Sequence, residues 1–248
     1  MVTIPKIIHY CWFGNNVKSE LILKCIDSWE KYLPNYEIIE WNEFNSQIFK
    51  NKFYIDALRK KQYAFVSDYI RTKVMYEYGG LYFDTDMLLL GELDNSFLEY
   101  DFFTAYEEPG RVSFGLFGST KKHRFLKSML DFYEKTEFDK FNPPVITVLF
   151  CDVINENTLT NNERIFAKDY FYSLPYNNRG ENYNDFKTEN SIAIHLWNHS
   201  WKQKIKKSNF YYWGNLFEVA IDFIFHNYSR SYFLRYVTLN IKKIFSRK

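Results

Sequence analysis

Residues 64–86 read Ala64-Phe65-Val66-Ser67-Asp68-Tyr69-Ile70-Arg71-Thr72-Lys73-Val74-Met75-Tyr76-Glu77-Tyr78-Gly79-Gly80-Leu81-Tyr82-Phe83-Asp84-Thr85-Asp86. The first part has helical periodicity. A helix from Ala57 to Tyr78, capped by Asp56, accounts for it. Gly79-Gly80 supplies the stop, because glycine tolerates the left-handed conformation past a helix end. Leu81-Tyr82-Phe83 follows as a short strand, closed by Asp84-Thr85-Asp86. Helix, glycine pair, strand and acidic triplet in this order point to an α/β sheet, which binds its ligands beyond the carboxyl ends of its strands.

The acidic triplet means little by composition alone. With thirteen aspartates in 248 residues, one chance Asp-x-Asp is ordinary. Its position gives it weight. In an extended segment, residues two apart share a face, so both carboxylates aim at one point. Two such groups repel at neutral pH unless a cation sits between them, and hard oxygen ligands suit Mg²⁺ or Mn²⁺. A solvated turn is the competing reading. On the helix, Ala64, Asp68, Arg71, Met75 and Tyr78 form one stripe. Asp68 and Arg71 interrupt an otherwise apolar line; as a buried ion pair they would add little stability over apolar packing, which leans toward function.

Working outward, Ile4 to Tyr10 reads as a buried strand, broken by Trp12-Phe13-Gly14. Glu20 to Tyr32 is helical, with Leu21, Cys25, Ile26, Trp29 and Tyr32 on one side. Pro34-Asn35 ends it and Tyr36 to Trp41 is a second strand, so this is a βαβ unit with parallel strands. Downstream, Phe102 to Tyr106 and Val112 to Phe117 read as strands around a turn at Glu108-Pro109-Gly110. Lys122 to Lys135 is helical, and Pro143-Pro144 opens a helix running through Val153. Ser191 to Trp197 is a last strand. At its end His195 and His199 offer imidazoles to a metal, and Trp201 offers a π-face to a base or sugar. Core packing is the competing reading for these residues and for Trp12. No internal repeat is found.

Composition narrows the classes. The chain is 46% apolar and 21% aromatic, ample for a core, which excludes the disordered classes. Its longest stretch without Asp, Glu, Lys or Arg, from Asn190 to Trp201, is twelve residues, far below the roughly 20 a membrane span needs. No apolar signal region is expected at the N-terminus. The three cysteines, Cys11, Cys25 and Cys151, form no CxxC pair, which favours a reducing, cytoplasmic setting over a disulfide framework. Net charge is +2 but uneven: ten Lys/Arg against two acids from Lys202 onward give that segment +8 and the remainder −6. Such asymmetry suits an anionic partner. From Leu216 the pattern is helical, apolar and basic, which fits an interfacial helix at the inner face of the cytoplasmic membrane or a helix packed on the domain. No RNA-binding signature is present, and no nucleic acid partner is expected.

Together these segments resemble a known family. Ile4-Pro5-Lys6-Ile7-Ile8-His9-Tyr10-Cys11-Trp12-Phe13-Gly14 is similar to the opening of the glycosyltransferases with the sugar-binding DXD region, glycosyltransferase family 32. That family includes the yeast initiating α-1,6-mannosyltransferase and many bacterial capsule and lipopolysaccharide enzymes. Residues 64–71 and 76–86 resemble its central signature, Asn142 to Thr147 a later helix start, and Ala193-Ile194-His195 through Ser200-Trp201 its closing motif. The resemblance implies a GT-A fold, a Rossmann-like α/β sandwich, over residues 1–205, leaving 206–248 as a basic, aromatic helical extension. It implies a retaining glycosyltransferase that uses Mn²⁺ or Mg²⁺ and a nucleotide-sugar donor, UDP before GDP, in making bacterial surface polysaccharide. The implied acceptor is a glycan or lipid-linked glycan.

By the same implication Trp12 stacks on the base, Tyr82 lies beside the nucleotide, and Asp68 and Arg71 hold donor sugar and phosphate. Asp84 contacts ribose and sugar, Asp86 binds the metal, and Ser200 and Trp201 close over the diphosphate. His195 completes the metal shell. The family's closing motif reads His-His-Trp; here Leu196 replaces the second histidine and His199 precedes Ser200, so His199 and Asp84 are secondary metal candidates. Phe114 stands where some relatives carry an Asn facing the substrate. No residue declares itself a covalent nucleophile, which leans toward front-face displacement. Two other readings stay open: transfer to a protein acceptor, as in large glucosylating toxins, and a non-catalytic sugar-nucleotide-binding scaffold.

Overall fold

In the computed structural model, which describes residues 3–198 and 209–245, β1 (Ile7–Cys11) and β2 (Glu37–Trp41) pair in parallel, with Ile8 opposite Ile38. They are joined by α1 (Glu20–Tyr32), which Ser19 caps by accepting from the Ile22 N–H. α2 (Lys52–Arg59) and α3 (Tyr63–Tyr78) follow. β3 (Gly80–Phe83) then pairs parallel with β1, and β4 (Met87–Leu89) lies just beyond it. β5 (Phe102–Glu108), β6 (Arg111–Val112), β7 (Leu116–Ser119), α4 (Arg124–Lys135), α5 (Ile146–Asn155), β8 (Glu163–Phe166) and β9 (Ala193–His195) complete this part. The main sheet runs β2-β1-β3-β7-β5-β6 with β8 on β5. Its β1 side is parallel, while β7 is antiparallel to both β3 and β5, so the α/β sheet is mixed. The chain forms two compact units, Met1–His199 and Ser200–Lys248. The boundary expected between 205 and 206 lies outside the described residues.

Strand alternation divides the core in two. On β3, Tyr82 joins one apolar cluster with Val66, Ile70, Val74 and Phe117, while Leu81 and Phe83 join the other with Trp29, Met87 and Ile194. Side chains two apart share a face, so helices α3, α4 and α5 cover one face, and α1 and β4 help cover the other.

Several elements differ from the sequence reading. The helix expected over 57–78 is two helices. Lys61, at φ +54°, breaks the chain between them, a break made without glycine or proline. Asp56 is therefore not a cap but lies within α2, paired with Lys52 and Arg59, and Asn51 caps that helix instead. Pro143 and Pro144 precede α5, whose first residue is Ile146, rather than forming its first turn. The last strand is only Ala193–His195, and it pairs with β4 in a separate two-stranded ladder.

Gly79 and Gly80 stop α3 with φ of +64° and +110°. The space allows nothing larger: a Cβ on Gly80 would meet the Ile7 carbonyl oxygen at 2.6 Å. Beside this turn His9 is completely buried. Its Nε2 lies 2.9 Å from the Gly79 carbonyl and its Nδ1 lies 3.0 Å from the Trp41 indole nitrogen. Indole only donates, so Nδ1 accepts and the single ring proton sits on Nε2. His9 thus ties β1 to β2 and to the end of α3 in its neutral form. Burial lowers its pKa to about 4, against a weaker opposing effect of the Gly79 carbonyl.

The second unit is described by α6 (Asn209–Phe225) and α7 (Arg230–Phe245), where the sequence reading placed helix only from Leu216 onward. The two helices pack on each other.

Candidate active site

The site begins where β3 ends. Asp84 donates its backbone N–H to the Gly115 carbonyl at 2.7 Å, and its own carbonyl accepts from Met87 N–H at 2.9 Å, which turns the chain from β3 into β4. The β4–β9 register sets Met87 opposite His195. The imidazole therefore returns to the acidic triplet, with His195 Nε2 3.0 Å from Asp86 Oδ1. Asn198 donates its backbone N–H to Asp86 Oδ2 at 2.7 Å, and Leu196 N–H bonds to the Asp86 carbonyl at 3.0 Å. Asp86 is thus held from both sides by the segment after β9.

Ligand atoms of Asp84, Asp86 and His195 lie within 4.8 Å of one another. Atoms sharing an octahedral ion at roughly 2.1 Å sit roughly 3 to 4 Å apart, so a small closure would bring them onto one cation. The donor set, two carboxylates and an imidazole, suits Mg²⁺ or Mn²⁺. His195 Nδ1 is buried and finds no hydrogen-bond partner among the described residues. The residues fit a divalent cation.

Arg71 is organised behind this cluster. Its Nη2 is 3.1 Å from Asp68 Oδ1 and 3.1 Å from Asp84 Oδ1, and its Nη1 donates to the Phe114 carbonyl at 2.9 Å. The guanidinium carbon lies 4.7 Å from the Tyr82 ring centre, and the Tyr82 hydroxyl donates to Asp84 Oδ1 at 3.3 Å. Arg71 Nε is buried without an acceptor among the described residues. The α3 spacing of three residues brings Asp68 and Arg71 onto one face, as the stripe predicts.

Burial sets the protonation of these acids. It raises Asp68 to about 7, Arg71 opposing and Asp84 adding to the rise. It also raises Asp84, against the pull of Arg71. At Asp86 burial is outweighed by His195 and the Asn198 N–H, which hold the carboxyl below its usual range. Burial likewise works against a charged His195, but Asp86, with Asp84 and Glu107, raises it overall. Shifted acids and bases with named charge partners cluster at functional sites.

The structure brings together Asp68, Arg71, Tyr82, Asp84, Asp86 and His195. Trp12 stands just past the end of β1, half-buried against the same apolar cluster as Phe83. Its indole donates to the Asn16 carbonyl at 2.8 Å, and the Lys18 ammonium lies 5.6 Å from its ring. His199, Ser200 and Trp201 lie outside the described residues. Phe114 does not face the site: it is fully buried and stacks on Phe117 at 4.1 Å, offering only its carbonyl.

Four contributors escaped the sequence reading. Gly115 leaves room for Asp84, since a Cβ there would meet Asp84 Oδ2 at 2.7 Å. The Tyr172 hydroxyl accepts from Leu116 N–H at 2.8 Å and its ring packs edge-on against His195. Trp197, at φ +54°, packs its ring against His195 at 4.0 Å and a tilt of 44°. Glu107 follows Phe103 and Ala105 on the buried face of β5 and pairs with Arg111 at 2.5 Å. Only Glu107 carried a local signal, an acid two places past buried residues of a strand.

The chain matches two family models. Residues 19–103 match the glycosyltransferase sugar-binding region containing the DXD motif, and residues 118–218 match the alpha 1,4-glycosyltransferase conserved region. Among curated proteins it is 28% identical over 154 residues to inositol phosphoceramide mannosyltransferase 3 of Schizosaccharomyces pombe, covering 59% of this chain and 42% of that one. It is 31% identical over 134 residues to mannosyl phosphorylinositol ceramide synthase CSH1 of Saccharomyces cerevisiae, covering 51% and 34%. It is 23% identical over 186 residues to the human alpha-1,4-N-acetylglucosaminyltransferase, covering 68% and 50%. The chain thus spans a third to a half of the length of these relatives. Among solved structures, the PaToxG glycosyltransferase superposes with a TM-score of 0.50 at 20% identity, over 62% of this chain and 69% of that one, which agrees with a GT-A fold. With Asp84-Thr85-Asp86 at the end of β3 and both models matching in order along the chain, residues 19–103 and 118–218 are similar to glycosyltransferases, the first of these stretches to those that carry the DXD sugar-binding region.

Proposed function

We propose that this chain transfers a sugar from a nucleotide-sugar donor, a UDP-sugar before a GDP-sugar, to a glycan acceptor, with Mn²⁺ or Mg²⁺ and with retention at the anomeric carbon. The convergence of Asp84, Asp86 and His195 on one point carries this reading. Asp86 and His195 would hold the cation with Asp84 beside them, and the cation would supply charge neutralisation for the departing diphosphate. Arg71, fixed by Asp68, Asp84 and the Phe114 carbonyl, presents a positive charge that needs no reorganisation as the phosphate leaves. The Asp68 and Asp84 carboxylates would offset charge developing on the sugar. No side chain here stands out as a covalent nucleophile, so we favour front-face displacement. Trp12 and Tyr82 would flank base and nucleotide, with Ser200 and Trp201 closing over the diphosphate.

For the biological setting we propose synthesis of bacterial surface polysaccharide, capsule or lipopolysaccharide, in the cytoplasm, with residues 1–205 catalytic and 206–248 an extension. Two relatives are named for mannosyl transfer to, or synthesis of, inositol-containing ceramides, which supports a sugar acceptor carried on a lipid.

The test is a thermal-shift panel of UDP- and GDP-sugars, each with Mn²⁺ and with EDTA, on wild type and Asp86→Ala. A donor at about 100 times its dissociation constant adds about 2.7 kcal/mol, a rise of roughly 5–10 °C for a unit of this size. The expected result is a metal-dependent rise with one donor that Asp86→Ala abolishes. A folded protein that no donor shifts would overturn the donor site and favour a scaffold.

A further inference from the structure

The α6–α7 hairpin buries paired polar groups beside Val219 and Ile244 and leaves large apolar side chains exposed. Its buried faces carry Asn215, Asp222, Tyr232, Tyr236 and Asn240. These groups bond across the pair: Asn215 Nδ2 donates to Asn240 Oδ1 at 3.3 Å, and the Tyr232 hydroxyl donates to Asp222 Oδ2 at 3.0 Å. Large apolar residues point outward. On α6, Phe210 is 87% exposed, Trp213 56%, Phe217 70% and Ile224 66%. At about 100° per residue these four fall within about 60° of one another, a single stripe. On α7, Leu234, Ile241 and Phe245 form a second exposed stripe. A helix pair built for water keeps its large apolar side chains turned inward.

Charge selects the partner. Arg230, Arg235, Lys242 and Lys243 are exposed on α7, while the acids on this hairpin are Asp222, which is buried and bonded, and Glu218, which is half-buried. No helix among the described residues is long and apolar enough to cross a membrane. Apolar stripes with cations beside them, too short and too mixed to span, are the composition of a helix that lies in a bilayer interface. Polar groups paired inside an apolar shell are what hydrocarbon contact demands, because lipid offers them no partners.

We propose that this hairpin is a monotopic anchor: Phe210, Trp213, Phe217 and Ile224, with Leu234, Ile241 and Phe245, enter the surface of an anionic phospholipid bilayer, while Arg235, Lys242 and Lys243 bind its headgroups. The anchor stands on its own observations and does not depend on the sugar-transfer reading.

The experiment is flotation of the full chain with vesicles of phosphatidylcholine alone and of phosphatidylcholine with about one-third phosphatidylglycerol. Wild type should float with the anionic vesicles only, and less at raised salt. Lys242→Gln with Lys243→Gln should lower partition roughly 25-fold, at about a factor of five per cation. Trp213→Ser with Phe217→Ser should lower it at least roughly tenfold. Circular dichroism and donor thermal shifts on the same variants separate loss of anchoring from loss of fold or of the donor site. Wild type that ignores anionic vesicles would overturn the proposal. So would a folded Trp213→Ser/Phe217→Ser protein that floats like wild type. A dimer split by Phe217→Ser, without vesicle binding, would assign the face to a second copy instead.

Discussion

His9 offers a sharp test of how the fold is held. It is neutral in the folded chain, with its proton on Nε2 facing Gly79 and its lone pair on Nδ1 facing Trp41. Protonation would place a second N–H against the Trp41 indole N–H, donor against donor, inside a core that excludes water. Burial holds the folded pKa at about 4, against 6.5 when exposed. Between these values the unfolded chain binds one more proton than the folded chain, so stability rises with pH across that window. The His9 contribution is complete above pH 6.5 and is lost as pH falls to about 4. At about 1.36 kcal/mol per pH unit it amounts to about 3 kcal/mol. Asp68, raised to about 7, has the opposite slope, since stability from a raised carboxyl is lost as pH rises. The measurement must therefore be a difference between proteins that share Asp68. His9→Gln keeps a donor and an acceptor but does not titrate. Urea unfolding of both proteins, followed by tryptophan fluorescence from about pH 7.5 to about pH 4.5, should show the wild-type advantage shrinking by most of that 3 kcal/mol. Stability curves that stay parallel over the whole range would refute a buried, neutral His9 between Trp41 and Gly79.

Four further outcomes follow from the geometry. Gly118→Ala would drive a Cβ into the Phe103 ring; it should cost about 2–3 kcal/mol by denaturant unfolding and be partly rescued by Phe103→Leu. Gly115→Ala drives a methyl toward Asp84 Oδ2, so kcat/KM should fall roughly 100-fold with the melting temperature little changed. Asp68→Ala removes one of two carboxylates from buried Arg71 and should lower stability by about 3 kcal/mol, measured in urea. Asp86→Asn should abolish Mn²⁺ binding in isothermal titration while His195→Gln weakens it; unchanged binding in both variants would remove Asp84, Asp86 and His195 as the cation site.

Much of the site is legible in the sequence because its parts obey local rules. Spacing on a helix puts Asp68 beside Arg71, and the glycine pair with its following strand puts Asp84 and Asp86 at a sheet end. His195 reads as a strand-end imidazole, but nothing local says that its partner is Asp86. That contact depends on a ladder between β4 and β9, each only three residues long and too short to show a period. The break at Lys61 is illegible for a related reason. A positive φ at Lys61 lets Lys61 N–H bond the Leu58 carbonyl and Gln62 N–H the Ala57 carbonyl, closing α2, where a sequence signal would need glycine or asparagine. Asp56 reads as a cap because it stands before an apolar run, yet Asn51, five residues earlier, accepts from Tyr54 N–H at 2.8 Å and starts the helix there. Tyr172 and Gly115 act on the site through a hydroxyl and through empty space, and neither leaves a pattern in the chain.

The short ladder that sets Met87 opposite His195 also fixes when the protein becomes competent. Asp86 and His195 are 109 residues apart in sequence. On a ribosome adding roughly 5–20 residues per second, the imidazole is made about 5–20 s after the carboxylate it meets. Until then the β1–α1–β2 unit and β3 can associate and Arg71 can reach Asp84, but Asp86 lacks the imidazole that later pairs with it. The nascent chain therefore carries Asp86 without its imidazole while the next 109 residues are made, and the same late contact that brings His195 to Asp86 joins β9 to β4.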